Sequence, residues 1–281
     1  MTDANGTGWW SAVRRRFAAP QVAPGWQRPG DRRVVDIGWL VDTTKAQFIW
    51  GEPRKTARDD RPPTHAKSAN YCPSVIDHEA RLFDIPCPID LKLGFRRDEQ
   101  GQPKLVNLDG ARSTVRNKTL GTMLVLVNEN EWRHPDRPVL QFVTPYVFVA
   151  DEPVWMTQMP PIAHYQRDPW PGILIGGRLP IHVWPRPMMW AFEWHEPAKP
   201  IVFRRGEPWF AVRFETHDPA RPVRLFEAER TPELVEHMQG LSAVSNYVNR
   251  TQALYKVAAE RRPERLLQRK QRKASTGDAP V

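Results

Sequence analysis

Five polar residues set among tryptophans and prolines, His164, His182, Arg186, Glu193 and His195, make the best local candidate for a polar site in the 281-residue chain. Glu193 and His195 stand two apart, so on a strand they point to one side, as paired ligands do on a β-scaffold. With His182 they make a candidate set of two histidines and one carboxylate for a divalent metal. The local His-x-Asp/Glu signature of non-haem iron sites is missing, because Trp184 follows His182 at that spacing. Arg186 and His164 would serve a different chemistry, the binding of a phosphorylated substrate. Which face Glu193 and His195 occupy decides their use. They alternate with Trp190, Phe192 and Trp194; if those aromatics fill the core the pair meets solvent, and if the interior is polar the pair lines it.

Other candidates are scattered. Asp77, His78 and Glu79 adjoin one another, but strand neighbours alternate sides and cannot converge, so the triplet reads as a turn or cap. Arg204, Arg205 and Gly206 read as a hairpin tip whose cations meet a phosphate or water. Cys72 and Cys87 are fifteen residues apart and each precedes a proline. That spacing matches neither a disulfide framework nor a CxxC zinc pair, and the expectation is two reduced, partly buried thiols in a cytoplasmic protein. No GxGxxG, Walker-type, GxSxG or HExxH motif occurs, which argues against the common phosphate loops, nucleophile elbows and zincin helices.

The formal net charge is +9, from 41 Lys and Arg against 32 Asp and Glu. Its placement matters more than its sum. Residues 1–33 hold six arginines against Asp3 and Asp31, and residues 261–281 hold seven Lys or Arg against Glu264 and Asp278. Residues 34–260 are left with 28 basic and 28 acidic side chains. A neutral body argues against a nucleic-acid-reading face on the fold itself and confines any such contact to the basic termini. No run of 18 apolar residues is present, so no helical membrane span is expected. Trp9 and Trp10 followed by Arg14, Arg15 and Arg16 lack the apolar stretch of a secretory signal.

The elements that position these residues are mostly short strands. Twenty-nine prolines disfavour long helices and suit strand edges and turns. Residues 1–33, broken by Pro20, Pro24, Pro29 and two glycines, read as a flexible basic arm. One or two strands are expected between Val34 and Trp50, then a loop from Glu52 to Asn70. Ile89, Leu91, Leu93 and Phe95 alternate with polar residues in the period of a half-buried strand, and a hairpin turn is expected around Gly101. Met123 to Val127 reads as a strand buried on both faces. Leu140–Val149 and Val154–Met159 read as two more, Ile173–Trp184 as a strand kinked at Gly176 and Gly177, and 201–216 as a hairpin turning at 204–207. Thr231 followed by Pro232 and Glu233 starts a helix. It carries Leu234, Met238, Leu241, Val244 and Val248 on one face over 231–257. Pro263 then interrupts it and the basic remainder is expected to fray.

Two resemblances rest on these features. The Cys72-Pro73 pair, the strand opening at Ile89-Asp90, Thr144-Pro145, Pro160-Pro161, Gly176-Gly177 and Gly206-Glu207-Pro208 together resemble an uncharacterised family of bacterial and tailed-phage proteins over about residues 70–216. That likeness implies no activity. The second half also resembles the β-clip fold of dUTPases and dCTP deaminases, with an Arg-x-Gly-Glu-type turn before the last strand. Those enzymes place an aspartate after a glycine-led strand and an Arg-Ser pair before it; the stretch Gly177 to His182 offers no aspartate, which separates the fold likeness from the nucleotide chemistry.

The expectation is therefore a mainly β protein: an antiparallel sandwich or barrel of β-clip or jelly-roll type at 34–225, with a C-terminal helix and basic tail at 226–281. The function expected first is a ligand- or partner-binding module without catalysis, taking a small-molecule ligand and forming a homo-oligomer through the C-terminal helix. The alternatives are a metal-dependent, cupin-like enzyme acting on a small molecule and a nucleotide-binding β-clip protein.

Overall fold

In the computed structural model the described residues are 34–57, 71–161 and 169–271. The arm at 1–33, most of the 52–70 loop, His164 and the last ten residues lie outside them. Strands β1 (Val35–Val41) and β2 (Arg54–Lys55) precede helix α1 (Pro73–Glu79), and β3 (Leu82–Pro86), β4 (Leu91–Arg97) and β5 (Pro103–Asn107) come after it. Helix α2 (Asn117–Met123) leads into β6 (Leu124–Leu126), β7 (Val139–Val143), β8 (Tyr146–Val149) and β9 (Val154–Met159). Next come β10 (Gly172–Ile175), β11 (Arg178–Pro180), β12 (Met189–Trp194), β13 (Ile201–Phe203), β14 (Pro208–Thr216) and β15 (Val223–Glu227). Helices α3 (Pro232–Leu241) and α4 (Tyr255–Arg261) close the order.

The strands make four open sheets, ordered β15-β1-β8, β10-β12-β7-β6, β11-β9-β14-β3-β2 and β13-β4-β5. Pairing is antiparallel except between β1 and β15. The sandwich half of the expectation holds. The barrel half does not, because among the described residues no sheet closes on itself.

Short connections at proline or glycine carry the chain from one sheet into another at 86–88, 144–145, 176–177 and 204–207. The chain leaves the five-stranded sheet at Pro86, passes Cys87-Pro88 and enters another sheet as β4. Its partner segment makes the same crossing between β13 and β14. The corner is sewn by Cys87 N–H donating to Glu207 O at 2.8 Å and Gly206 N–H donating to Cys87 O at 2.8 Å. The expected hairpin at 201–216 is thus a corner: β13 pairs with β4, and β14 pairs with β3 and β9. Gly206 at φ 84° supplies the left-handed turn it needs. The Leu140–Val149 strand is likewise two, β7 and β8, because Pro145 has no N–H for the ladder; Thr144 N–H and Oγ1 both donate to Met188 O at 3.0 Å. The kink at Gly176 and Gly177 divides β10 from β11. A Cβ on Gly177 would lie 2.9 Å from Gln158 Oε1.

All four sheets bury one face in a shared core. Trp190 stacks on Phe210 at 3.8 Å, Phe210 on Trp209 at 4.5 Å, and Phe142 touches Trp170, Phe192, Phe203 and Trp209. Each such side chain contributes about 1.5–3 kcal/mol by leaving water.

Several local expectations change. Phe48 and Ile49 lie in a 3-10 turn rather than a strand, with Phe48 exposed, although Trp50 still packs on Tyr146. Met123 ends a helix, and β6 is an edge strand with Val125 exposed rather than a strand buried on both faces. Asp77, His78 and Glu79 belong to α1, which Pro73 starts at its first position, and not to a turn. The long C-terminal helix stops at Leu241, because Ala243 takes a left-handed φ of 56°. Its cap is as expected: Leu234 N–H donates to Thr231 Oγ1 at 3.2 Å.

Residues 264–271 of the basic tail pack on the body where fraying is expected, and the rest of the tail lies outside the described residues. Leu234 and Met238 of α3 cover the outer face of the β15-β1-β8 sheet together with Leu266 and Leu267, against Leu40, Val147, Val149 and Phe226. Leu267 sits over Gly38, where a Cβ would collide with it. Asp151 holds this segment: Oδ1 accepts from Leu266 N–H at 2.8 Å, Leu267 N–H at 3.2 Å and Arg262 Nη2 at 2.7 Å.

Two outcomes are expected of this packing. Leu267→Ala should lower stability by about 2–5 kcal/mol in urea unfolding, whereas a fraying tail would tolerate it. Cys72 is exposed and Cys87 buried, with burial pushing the Cys87 thiol up to about 12. Iodoacetamide should therefore modify Cys72 in the native protein and Cys87 only after unfolding, as read by peptide mass mapping.

Candidate functional site

Glu193 and His195 do come together, but neither in the solvent nor in the interior. The aromatics at 190, 192 and 194 fill the core, which turns Glu193 to the outer face of the β10-β12-β7-β6 sheet. There it is only 1% exposed, because the segment between β6 and β7 folds over it. That segment is pinned by Trp132, whose Nε1–H donates to Val127 O at 2.9 Å and whose ring meets Phe95. It delivers two arginines that the sequence pattern does not single out. Arg133 Nε lies 2.9 Å from Glu193 Oε2, and Arg137 Nη1 lies 3.6 Å from Oε1. His195 Nε2 lies 3.1 Å from the same Oε1. The carboxylate thus faces two guanidinium groups and an imidazole, an arrangement that ties the loop to the sheet. Nothing in the spacing of the polar run 128–137 signals that it returns over β12.

His182 stands apart. It comes after β11, at the edge of the five-stranded sheet, with Nδ1 2.9 Å from Val154 O and its ring edge-on to Trp155 at 5.1 Å. Burial first, and then the nearby Arg262 cation, push its pKa below the ordinary imidazole value. Among the described residues no three His, Cys, Asp or Glu side chains gather as a metal-binding group, so His182, Glu193 and His195 are not brought together. Arg186 is exposed beside a third feature, a cleft of about 300 Å³ that it shares with Asp42, Arg230 and Gln239. Arg230 Nε there donates to Asp42 Oδ1 at 3.0 Å. His164 lies outside the described residues.

A concave site with a more apolar lining lies elsewhere. The turn after β11 drops Val183 and Trp184 under the C-terminal helices, where they form a small core with Ala258, Leu241, Val244, Leu254 and Tyr255. Trp184 meets the Tyr255 ring at 5.2 Å. Beside them opens a hollow of about 500 Å³ walled by Trp184, Leu241, Val244, Leu254 and Val257, with His237, Gly240 and Arg261 completing its lining. Burial first, and then Arg262, also depress the pKa of His237, whose Nε2 lies 3.4 Å from Val183 O. In sequence Leu234, Met238, Leu241 and Val244 read as one stripe. In the structure the break after Leu241 divides it: the first pair seals the sheet and the second walls the hollow.

The two depressed histidines carry a sign. A group whose folded pKa lies below its unfolded value, about 6.5 for histidine, contributes stability that is complete above that value and is lost as pH falls through the folded pKa. Unfolding free energy should therefore drop as the pH is lowered from about 7.5 to about 5. Replacing His182→Gln and His237→Gln together should flatten that slope in urea titrations at each pH; an unchanged slope would assign it to other groups.

No protein-family model matches this chain, and no curated protein is significantly similar to it.

Proposed function

We propose that the protein is a non-catalytic binding module that takes a small amphipathic molecule in the hollow beneath α3 and α4. The carrying observation is the hollow itself. It is concave, mainly apolar and within the range of about 300–1,000 Å³ that accommodates small ligands, with a few polar groups at its wall. Gly240 belongs to the lining, and a Cβ built there meets no atom within 4 Å, so a larger side chain has room at this wall. Three of the five polar residues that the sequence offers for chemistry, Glu193, His195 and His182, are engaged in holding the protein. Glu193 faces Arg133, Arg137 and His195, and His182 is bound to the Val154 backbone. Self-association through the C-terminal helix has less to draw on, because Leu234 and Met238 turn inward onto the sheet.

The neutral fluorophore N-phenyl-1-naphthylamine, which brightens on leaving water, tests this directly. It should bind the native protein saturably at one site. Gly240→Leu places a side chain at the opening and also removes a helix glycine worth about 1 kcal/mol, so the variant should keep or raise its thermal midpoint and lose the fluorescence. Wild-type fluorescence from a folded Gly240→Leu protein would remove the hollow as the binding site.

A further inference from the structure

We infer that the ligand of this hollow is an amphipathic monocarboxylate, its chain lying on Leu241, Val244, Leu254 and Val257 and its head group held by Arg261. The inference rests on the reading of the hollow as a ligand seat and says what kind of molecule it selects. The ionisable groups in the lining are Arg261 and His237, and no acidic side chain of the described residues is among them. Arg261 ends α4, is exposed, and makes no ion pair among the described residues. The adjacent Arg262 differs in this respect: its guanidinium donates to Ala150 O at 3.0 Å and to Asp151 Oδ1 at 2.7 Å. One cation at the wall of the hollow is therefore uncommitted.

The wall around it sets the rest of the ligand. A wholly apolar molecule would draw nothing from the Arg261 guanidinium, which stays in water, and a cationic amphiphile would meet a like charge. A planar guanidinium presents paired N–H donors that match the two oxygens of a carboxylate. A phosphomonoester would bring close to two negative charges to a single cation. The match is therefore a single carboxylate on an apolar chain.

Displacement of bound N-phenyl-1-naphthylamine from the full-length protein by decanoate, 1-decanol and decyl phosphate separates the possibilities. Decanoate should displace the probe at a concentration about fivefold lower than decanol, the scale of an ion pair at a partly open site, and lower than decyl phosphate. Arg261→Gln should abolish the advantage over decanol while leaving decanol itself unchanged, and Arg261→Lys should restore part of it. Raising the salt concentration should shrink the advantage in the wild type. Equal displacement by decanoate and decanol, with probe binding still blocked by Gly240→Leu, would overturn the carboxylate assignment and leave the hollow as a seat for neutral ligands. Stronger displacement by decyl phosphate would overturn it in favour of a phosphate head. Failure of the probe to bind at all would remove the hollow reading, and this inference with it.

Discussion

The carboxylate of Asp151 is the point on which the C-terminal part of the protein depends. It lies just after β8 and draws in the Arg262 guanidinium and two backbone N–H groups, of Leu266 and Leu267. Arg262 is nearly buried and donates as well to Ala150 O, Pro263 O and Glu264 O. Removing one partner of such a pair leaves the other charge uncompensated. The position of this clamp governs the packing of its neighbours. It sets Leu266 and Leu267 on the outer face of β1, continues into the Ala228 and Arg269 bridge, and brings Arg262 near both His182 and His237. With the segment fixed at that end, α4 lies over Trp184 and the hollow has its wall.

The core on the other side of β1 rests on a simpler constraint. Proline and glycine cut the ladder at 86–88, 144–145, 176–177 and 204–207, and the strands on either side of each cut belong to different sheets. Large aromatics fill the space that these corners enclose. Much of this was legible in sequence. The period of Ile89 to Phe95, the Gly101 turn, the Val154–Met159 strand and the single face shared by Trp190, Phe192 and Trp194 were all readable from alternation and turn chemistry, whereas which way that face turns was not. The corners were not, because a proline within an apolar run reads equally well as an irregular strand and as two strands in separate sheets. Only the partners of β7, β8, β13 and β14 distinguish the two, and those partners lie far away in sequence.

The candidate site was legible in a smaller part. Glu193 and His195 were correctly placed on one face, and the capped helix at Thr231 was readable from its cap. What covers Glu193 was not: Arg133 and Arg137 arrive from a polar loop whose return path is set by Trp132 packing on Phe95. The fate of the basic tail was hidden for a related reason. Two leucines inside a charged and polar run carry no periodicity, yet Gly38 leaves a bare place on β1 that Leu267 fills. This docking also changes the electrostatics of the terminus. Arg262 is tied to Asp151, Lys270 to Glu227, and Arg269 lies over Phe226 at 5.4 Å, so part of the tail's positive charge is engaged within the fold.

The most direct measurement of the ligand seat is a ¹³C-edited nuclear Overhauser spectrum of the methyl-labelled protein with unlabelled decanoate. A chain seated beneath α3 and α4 should give cross-peaks from its methylenes to the methyl groups of Leu241, Val244, Leu254 and Val257. Cross-peaks confined to methyl groups elsewhere in the molecule would contradict that seat.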